Sequence, residues 1–386
     1  IRGKLMKVSM LAKSAAVALV FGLVASTPAH AVDLSGSGAS FPALLIEACK
    51  APFATASGHS FTYASLGSGT GRSNSDKSVG DFWFSDAAHT AASKRSTIIH
   101  APVVAAPIGI LHNLPSRNTL SLSATTIAGI FAGTITRWDD PAIVKDNNRA
   151  YDKIVYKTKN GALVKDSNGQ PVISKKIATS TRYTLPSKTI KVVYRLDSSG
   201  TTENFTNYLN KSAPAVWTKA KSSVFTTSFP GDINSSTNLG RVVGANYSQG
   251  VAQQAGKTPY SITFAEVNYA VGNKLKVAHV INPSGNAVEP TSVSTSAFLA
   301  QGAMDANGIV SFDYATKEAG AYTLGIVSYM LVDTAYTDKT RGAAVKALAN
   351  FVLSPACAKD KGEALGFAVL DGAFKKKADE QIAKIG

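Results

Sequence analysis

Cysteine is nearly absent from this chain. Only Cys49 and Cys357 occur in 386 residues, so at most one disulfide exists. Metal-ligand spacing is missing as well: the histidines at 59, 89, 100, 112 and 279 fall in no ligating pattern, exposed or capping positions account for them, and no H-E-x-x-H occurs. G-x-S-x-G is also missing, and no base is placed to activate Ser68 or Ser199 as a hydrolase nucleophile. Gly256-Lys257-Thr258 after Gly250 imitates a nucleotide phosphate loop, but with five intervening residues where four are needed, and with a helix before it where a strand belongs. Acids are in deficit, 25 against 40 Lys and Arg, for a formal charge of +15. The bases are scattered. Lys375-Lys376-Lys377 is a short run best explained as a solvated helix face, and no basic motif is interleaved with aromatics, which speaks against nucleic acid. The surplus charge is then open to two readings, affinity for an acidic membrane or attraction of small anions toward a cleft.

The N-terminus is basic and acid-free. IRGKLMKVSMLAK is followed by the apolar run SAAVALVFGLVAS and the small-x-small site Ala29-His30-Ala31. This reads as a secretory signal peptide cleaved after Ala31, with Met6 a candidate true start. The run is too short and wrongly flanked for a lasting membrane span, and no cysteine follows the cleavage site to carry a lipid. Removing Arg2, Lys4, Lys7 and Lys13 lowers the charge from +15 to +11.

What is present is an anion cradle in pieces. Tyr194 to Thr202, YRLDSSGTT, joins an arginine to a Ser-Ser-Gly-Thr turn that opens a helix. Backbone N–H groups at a helix start lack intrahelical partners and carry the positive end of the dipole. Arg195 adds a planar charged fork, which Asp197 can orient. The alternative is an ordinary Ser/Thr N-cap beside a surface arginine. Two more strand–turn–helix junctions lie upstream, at Gly38-Ala39-Ser40-Phe41-Pro42 and Gly67-Ser68-Gly69-Thr70-Gly71. Their glycines permit close backbone approach, and their hydroxyls add donors.

A fourth segment, DFWFSDAAHT, ends an apolar strand with Asp86. Phosphate near neutral pH keeps a proton that a carboxylate can accept, whereas sulfate meets bare repulsion. Alternatively Asp86 caps a helix over the following AAHTAAS.

In order and spacing, GSGASFP, LGSGTG, DFWFSDA, IAGIFAGTITRWDDPAI and VVYRLDSSGTT resemble the substrate-binding protein of the high-affinity phosphate ABC transporter (PstS-like), including its DING-type relatives, over nearly the whole mature chain. The resemblance implies phosphate contacts from Ser40, Phe41 (through its backbone), Ser68, Asp86, Arg195, Ser199, Gly200 and Thr201, with Asp197 pairing the arginine. It further implies hinge closure on inorganic phosphate, delivery to an ABC permease in the inner membrane, a periplasmic or further secreted monomer, and no enzymatic activity, cofactor, metal or nucleic-acid partner. Ser40 stands where the family often has threonine. Trp83 and Phe84 replace a small pair, so packing behind Asp86 must differ.

About 355 mature residues exceed one domain. Strand and helix signals alternate, which predicts an α/β fold with two lobes of the periplasmic binding protein type (type II-like) and a ligand cleft between them. The strands expected are FTYASL, DFWFSD, VVAAPIGILHN, IKVVYRLD, YSITFAEVNYAV and LGIVSYMLVDTAY; SATTIAGIFAG, TENFTNYLNKSA and YSQGVAQQAG are expected helices. The first lobe would comprise 32–112 and 324–386, the second 113–323, with crossovers near 101–112 and 324–336. Residues 157–189 read as an insertion carrying a hairpin around Asn168-Gly169. In such two-lobed proteins both chain ends share a lobe, so the resemblance makes a Cys49–Cys357 bridge plausible, worth about 4 to 5 kcal/mol by chain entropy; two separate buried thiols are the alternative. Two other functions remain open at this stage: an exported phosphatase or phosphoesterase using the same cradle, and a secreted surface or adhesive protein with secondary phosphate binding.

Overall fold

The computed structural model describes residues 31–160, 162–167 and 169–386; the expected signal peptide as far as His30, and Asn168 of the expected hairpin turn, lie outside them. The strand Ile98–His112 organises the rest. It is buried on both faces almost throughout, which is why its sequence is a continuous apolar run rather than an alternating one. Along its first part it pairs antiparallel with Gly325–Asp333, and along its last part with Ser261–Glu266 and Lys276–Ile281. Pro107 is the last residue opposite Gly325 and Ile108 the first opposite Glu266. Pro102 sits where the register shifts between Ser328 and Tyr329. Each proline therefore falls where the ladder is interrupted or changes partner, the places a residue without an N–H is tolerated.

On one side of this strand, Asp33–Gly38 runs parallel to both Ser60–Ser65 and Phe82–Ser85. Helices Ala43–Ser57 and Ser68–Asp76 follow the first two strands. On the other side, Lys191–Arg195 runs parallel to Val242–Ala245 and Ser261–Glu266, and helices Gly200–Ser212 and Tyr247–Lys257 follow the first two. Parallel pairing places the C-terminal ends of each trio together, the end at which ligands bind in such sheets. In the second half the Gly200–Ser212 helix is pinned by Phe205 stacked on Phe264 of the sheet, centroids 4.2 Å apart.

The chain returns to the first half at its end. Helix Lys339–Leu353 packs with Ala43–Ser57, and Cys357 is joined to Cys49 across 308 residues, Cα–Cα 5.4 Å. Among the described residues no helix is long and apolar enough to cross a membrane.

Several expectations need correction. Among the described residues Gly325–Asp333 pairs only with Ile98–His112 and Phe82–Ser85, so of the two expected crossovers it is Ile98–His112 that pairs with both halves. The strand YSITFAEVNYAV stops at Glu266, and Tyr269–Gly272 is a short helical turn. Within residues 157–189 the chain does reverse near Gly169, where Val172 N donates to the Val164 carbonyl and Asp166 N to the Gln170 carbonyl, but the two-stranded element is longer than the expected insertion. It is a ribbon that begins at Ala150, where Ala150–Tyr156 pairs with Ile173–Ser180 and Lys165 bridges Pro171 near the tip. The phosphate-loop imitation is dissolved because Gly250 to Lys257 is helix. His89, His100 and His112 are buried rather than exposed. Desolvation pushes His100 down to about 4, aided by Lys94, and His112 down to about 3, aided by Lys276.

Candidate anion-binding site

The C-terminal ends of the two strand trios meet. From the first half come Ser40, held in a turn whose Ala39 carbonyl accepts from Tyr63 Oη at 2.6 Å, and Ser68, the first residue of its helix. Asp86 follows Phe82–Ser85 directly. No helix follows Asp86, which removes the capping alternative. Trp83 and Phe84 of that strand are buried, Trp83 Nε1 donating to the Val79 carbonyl at 2.6 Å and Phe84 meeting Tyr63 edge-on. Phe41 is buried, its ring edge-on to Phe367, so only its backbone is available to a ligand.

From the second half comes Arg195, whose Nε and Nη2 grip both oxygens of Asp197 at 2.7 and 2.5 Å. Asp197 also accepts from Tyr247 N at 2.8 Å. Ser199 is the N-cap of the Gly200–Ser212 helix, its Oγ accepting from Thr202 N at 3.1 Å, which leaves the hydroxyl proton free to donate. Gly200 and Thr201 form the buried first turn.

The halves touch through glycine. A Cβ at Gly200 would lie 2.7 Å from Ala87 N and from Ser68 Oγ, and one at Gly69 would lie 2.4 Å from Ser198 Oγ. Gly69 N donates to the Ser198 carbonyl at 3.0 Å.

Asp86 is 2% exposed. Its Oδ2 accepts from Thr201 Oγ1 at 3.2 Å and Ser68 Oγ at 3.4 Å, and its Oδ1 from Ser328 Oγ at 2.7 Å. Desolvation raises its pKa to about 6, against the opposing pull of Ser328, Arg195, Thr201 and Ser68. Arg195 meets Ser40 through Ser248: Nη1 donates to Ser248 Oγ at 3.1 Å, and Ser248 N donates to Ser40 Oγ at 3.1 Å. A cavity of about 480 Å³ opens beside Asp86, lined by Asn204, Lys211, Phe312 and Tyr314 among others, but Ser40, Ser68, Arg195 and Ser199 do not line it. The cradle residues are buried against one another beside that cavity and do not form its wall.

A family model described as a PBP superfamily domain matches residues 24–356. Phosphate-binding protein PstS 3 of Mycobacterium tuberculosis is 31% identical over 303 residues, covering 75% of this chain and 70% of its own. The chain belongs to the PstS-like branch of the PBP superfamily. A phosphate-binding protein PstS of Pasteurella multocida is 29% identical over 288 residues, 74% of this chain and 71% of its own. The structure of PfluDING, a high affinity periplasmic phosphate-binding protein bound with phosphate, superposes with a TM-score of 0.64 at 23% identity, covering 90% of this chain and 93% of that one. The PstS-like chain thus has the two-lobed α/β fold of that group.

Three further residues of the cluster belong to no turn motif. Ser248 starts the Tyr247–Lys257 helix, Glu266 ends Ser261–Glu266, and Ser328 lies within Gly325–Asp333. An acid in SITFAE and a serine in GIVSYML were signals, since polar groups in fully buried strands need a reason.

Proposed function

We propose that this protein binds inorganic phosphate between its lobes by hinge closure and delivers it to an ABC permease. It acts as a monomeric, exported periplasmic binding protein without enzymatic activity or nucleic-acid partner. The lobes comprise 32–112 with 324–386, and 113–323. The ligand is held by Ser40, Phe41 N–H, Ser68 and Asp86 from one lobe and by Arg195, Ser199, Gly200 N–H and Thr201 from the other.

One observation carries this reading: a fully buried carboxylate, Asp86, sits among donors from both halves while the nearby arginine is already matched by Asp197. With Arg195 and Asp197 cancelling, the cradle offers little net positive charge, so an anion is held mainly by oriented N–H and O–H dipoles. Asp86, ionised above about pH 6, then supplies an acceptor. Hydrogen phosphate has a proton to give it, and sulfate has none, so sulfate leaves a buried carboxylate facing an anion. Closure excludes water and strengthens each of these terms.

Calorimetric titration of the purified mature protein with phosphate and sulfate tests the reading. Saturable phosphate binding without sulfate competition is expected, and absence of phosphate binding overturns it. Turnover of a phosphomonoester in the same preparation would favour the phosphatase alternative.

A further inference from the structure

Glu266 is the cleft group that phosphate binding, as described, leaves without a task. It is 1% exposed and ends its strand at the same sheet end as Arg195. Its Oε1 lies 3.0 Å from Ser248 Oγ, and its Oε2 has no hydrogen-bond partner among the described residues. Arg195 and Asp86 are the charged groups that act on it, and Tyr269 of the following turn feels its charge in return. Arg195 is already gripped by Asp197. An ionised Glu266 would therefore be a second buried carboxylate beside Asp86 with no cation of its own and one oxygen unsatisfied, whereas the neutral acid avoids the charge. Burial accordingly pushes its pKa up to about 8; its own backbone N–H, Arg195 and Ser248 pull against this and Asp86 adds to it.

Proton accounting at Ser248 gives the neutral acid a role. Ser248 Oγ has three neighbours: Arg195 Nη1 at 3.1 Å, Ser40 Oγ at 3.1 Å and Glu266 Oε1 at 3.0 Å. A hydroxyl accepts two hydrogen bonds and donates one. With Glu266 neutral and donating, Ser248 accepts from Glu266 and Arg195 and must give its proton to Ser40. Ser40 Oγ, which also accepts from Ser248 N at 3.1 Å, then has both lone pairs occupied and its own proton free to point at an anion. With Glu266 ionised, the Ser248 proton turns to the carboxylate, and Ser40 can spend its proton on Ser248 instead.

We infer that Glu266 is a positioning residue held as a neutral acid, which orients the hydroxyl chain from Ser248 to Ser40 so that Ser40 is a donor to the bound anion. The inference takes the phosphate reading for the identity of the ligand. It predicts that affinity is retained while Glu266 keeps its proton and declines as pH rises through about 8, where inorganic phosphate is already the dianion and contributes no further step of its own.

The test compares wild type, Glu266→Gln and Glu266→Ala by phosphate calorimetry from pH 6.5 to 9.5 and by thermal unfolding without phosphate from pH 4 to 9. Glutamine keeps a neutral donor. It should bind within about 3-fold of wild type at pH 7 and hold its affinity to pH 9.5, while wild type loses about 10-fold and Glu266→Ala is already about 10-fold weaker at pH 7. Glutamine binding as weakly as alanine, or declining with pH in parallel with wild type, overturns the inference. The unfolding arm needs no ligand. The stability of Glu266→Gln over wild type should grow as pH rises from the ordinary glutamate range to about 8 and then level off, because the unfolded glutamate ionises before the folded one. A pH-independent difference means Glu266 is charged in the fold and overturns the inference, even if phosphate itself is not the ligand.

Discussion

Thr201 Oγ1 donates to Asp86 Oδ2 at 3.2 Å across 115 residues of sequence. One residue opens a helix in the second half of the sheet and the other ends a strand in the first, so their contact exists only when the halves are together. On the proposed reading, closure of the lobes is what assembles the acceptor.

Asp86→Asn should relax rejection of sulfate. The amide can donate where the carboxylate could only accept, so the phosphate preference, on the order of 10⁴ for a site built around a required hydrogen bond, should fall by at least about 100-fold. Competitive calorimetry measures it, and an unchanged preference removes the carboxylate from selectivity.

The same selectivity should depend on pH. The folded pKa of Asp86 is raised to about 6, so the carboxyl is an acceptor above that value and becomes a donor below it. Sulfate affinity should rise as pH falls from 8 to 5, and Asp86→Asn should show no such rise. For stability the sign is the reverse of that for a salt-bridged acid: the ligand-free fold loses stability as pH rises from the ordinary aspartate range to about 6, because the unfolded carboxyl ionises first. Asp86→Asn should be more stable than wild type at pH 8 by on the order of 2 to 3 kcal/mol, a gap that closes near pH 4.

Arg195→Ala should weaken phosphate and sulfate alike, by about 100-fold, leaving their ratio intact, since the guanidinium acts on any tetrahedral anion. It also strands Asp197, which should lower unfolding stability by about 3 kcal/mol or more. Parallel calorimetry and denaturation separate the two effects; equal affinity would place Arg195 outside the site.

Gly200→Ala should impair closure. The added methyl would meet backbone at Ala87 N as well as Ser68 Oγ, each at 2.7 Å, and the backbone atom cannot swing aside. A loss of phosphate affinity above 10-fold with far-ultraviolet circular dichroism unchanged is expected.

Replacing Cys49 and Cys357 together by alanine should lower stability by up to about 6 kcal/mol, because the bridge closes a loop of 308 residues in the unfolded chain. Phosphate affinity should not change, since the bridge ties helix to helix away from the cradle. Thermal unfolding with and without reductant measures the first effect and titration the second.

The cradle was legible where its chemistry is local. Gly67-Ser68, Ser199-Gly200-Thr201 and Arg195-x-Asp197 each announce a turn, a helix start or a fork within a few residues. Ser248, Glu266 and Ser328 were not legible. Each sits at the edge of or within an element with another evident purpose, and which way its side chain faces is set by strand register and by the partner chosen across the sheet. The same reason explains the overrun of YSITFAEVNYAV: apolar residues continue past Glu266, but after that residue the chain turns into Tyr269–Gly272 instead of continuing along Ile98–His112.

The sequence by itself determined the glycine- and serine-rich turns of the candidate cradle, the alternation of strands and helices, and the presence of two cysteines, since short-range backbone preferences and composition decide these. Only the tertiary structure decided that Asp86 is an acceptor among donors rather than a helix cap, that Glu266 and Ser248 join Ser40 to Arg195, and that Ile98–His112 is the strand paired with both halves. Parallel strand order brings the C-terminal ends together, and burial then sets the protonation of whatever lies there.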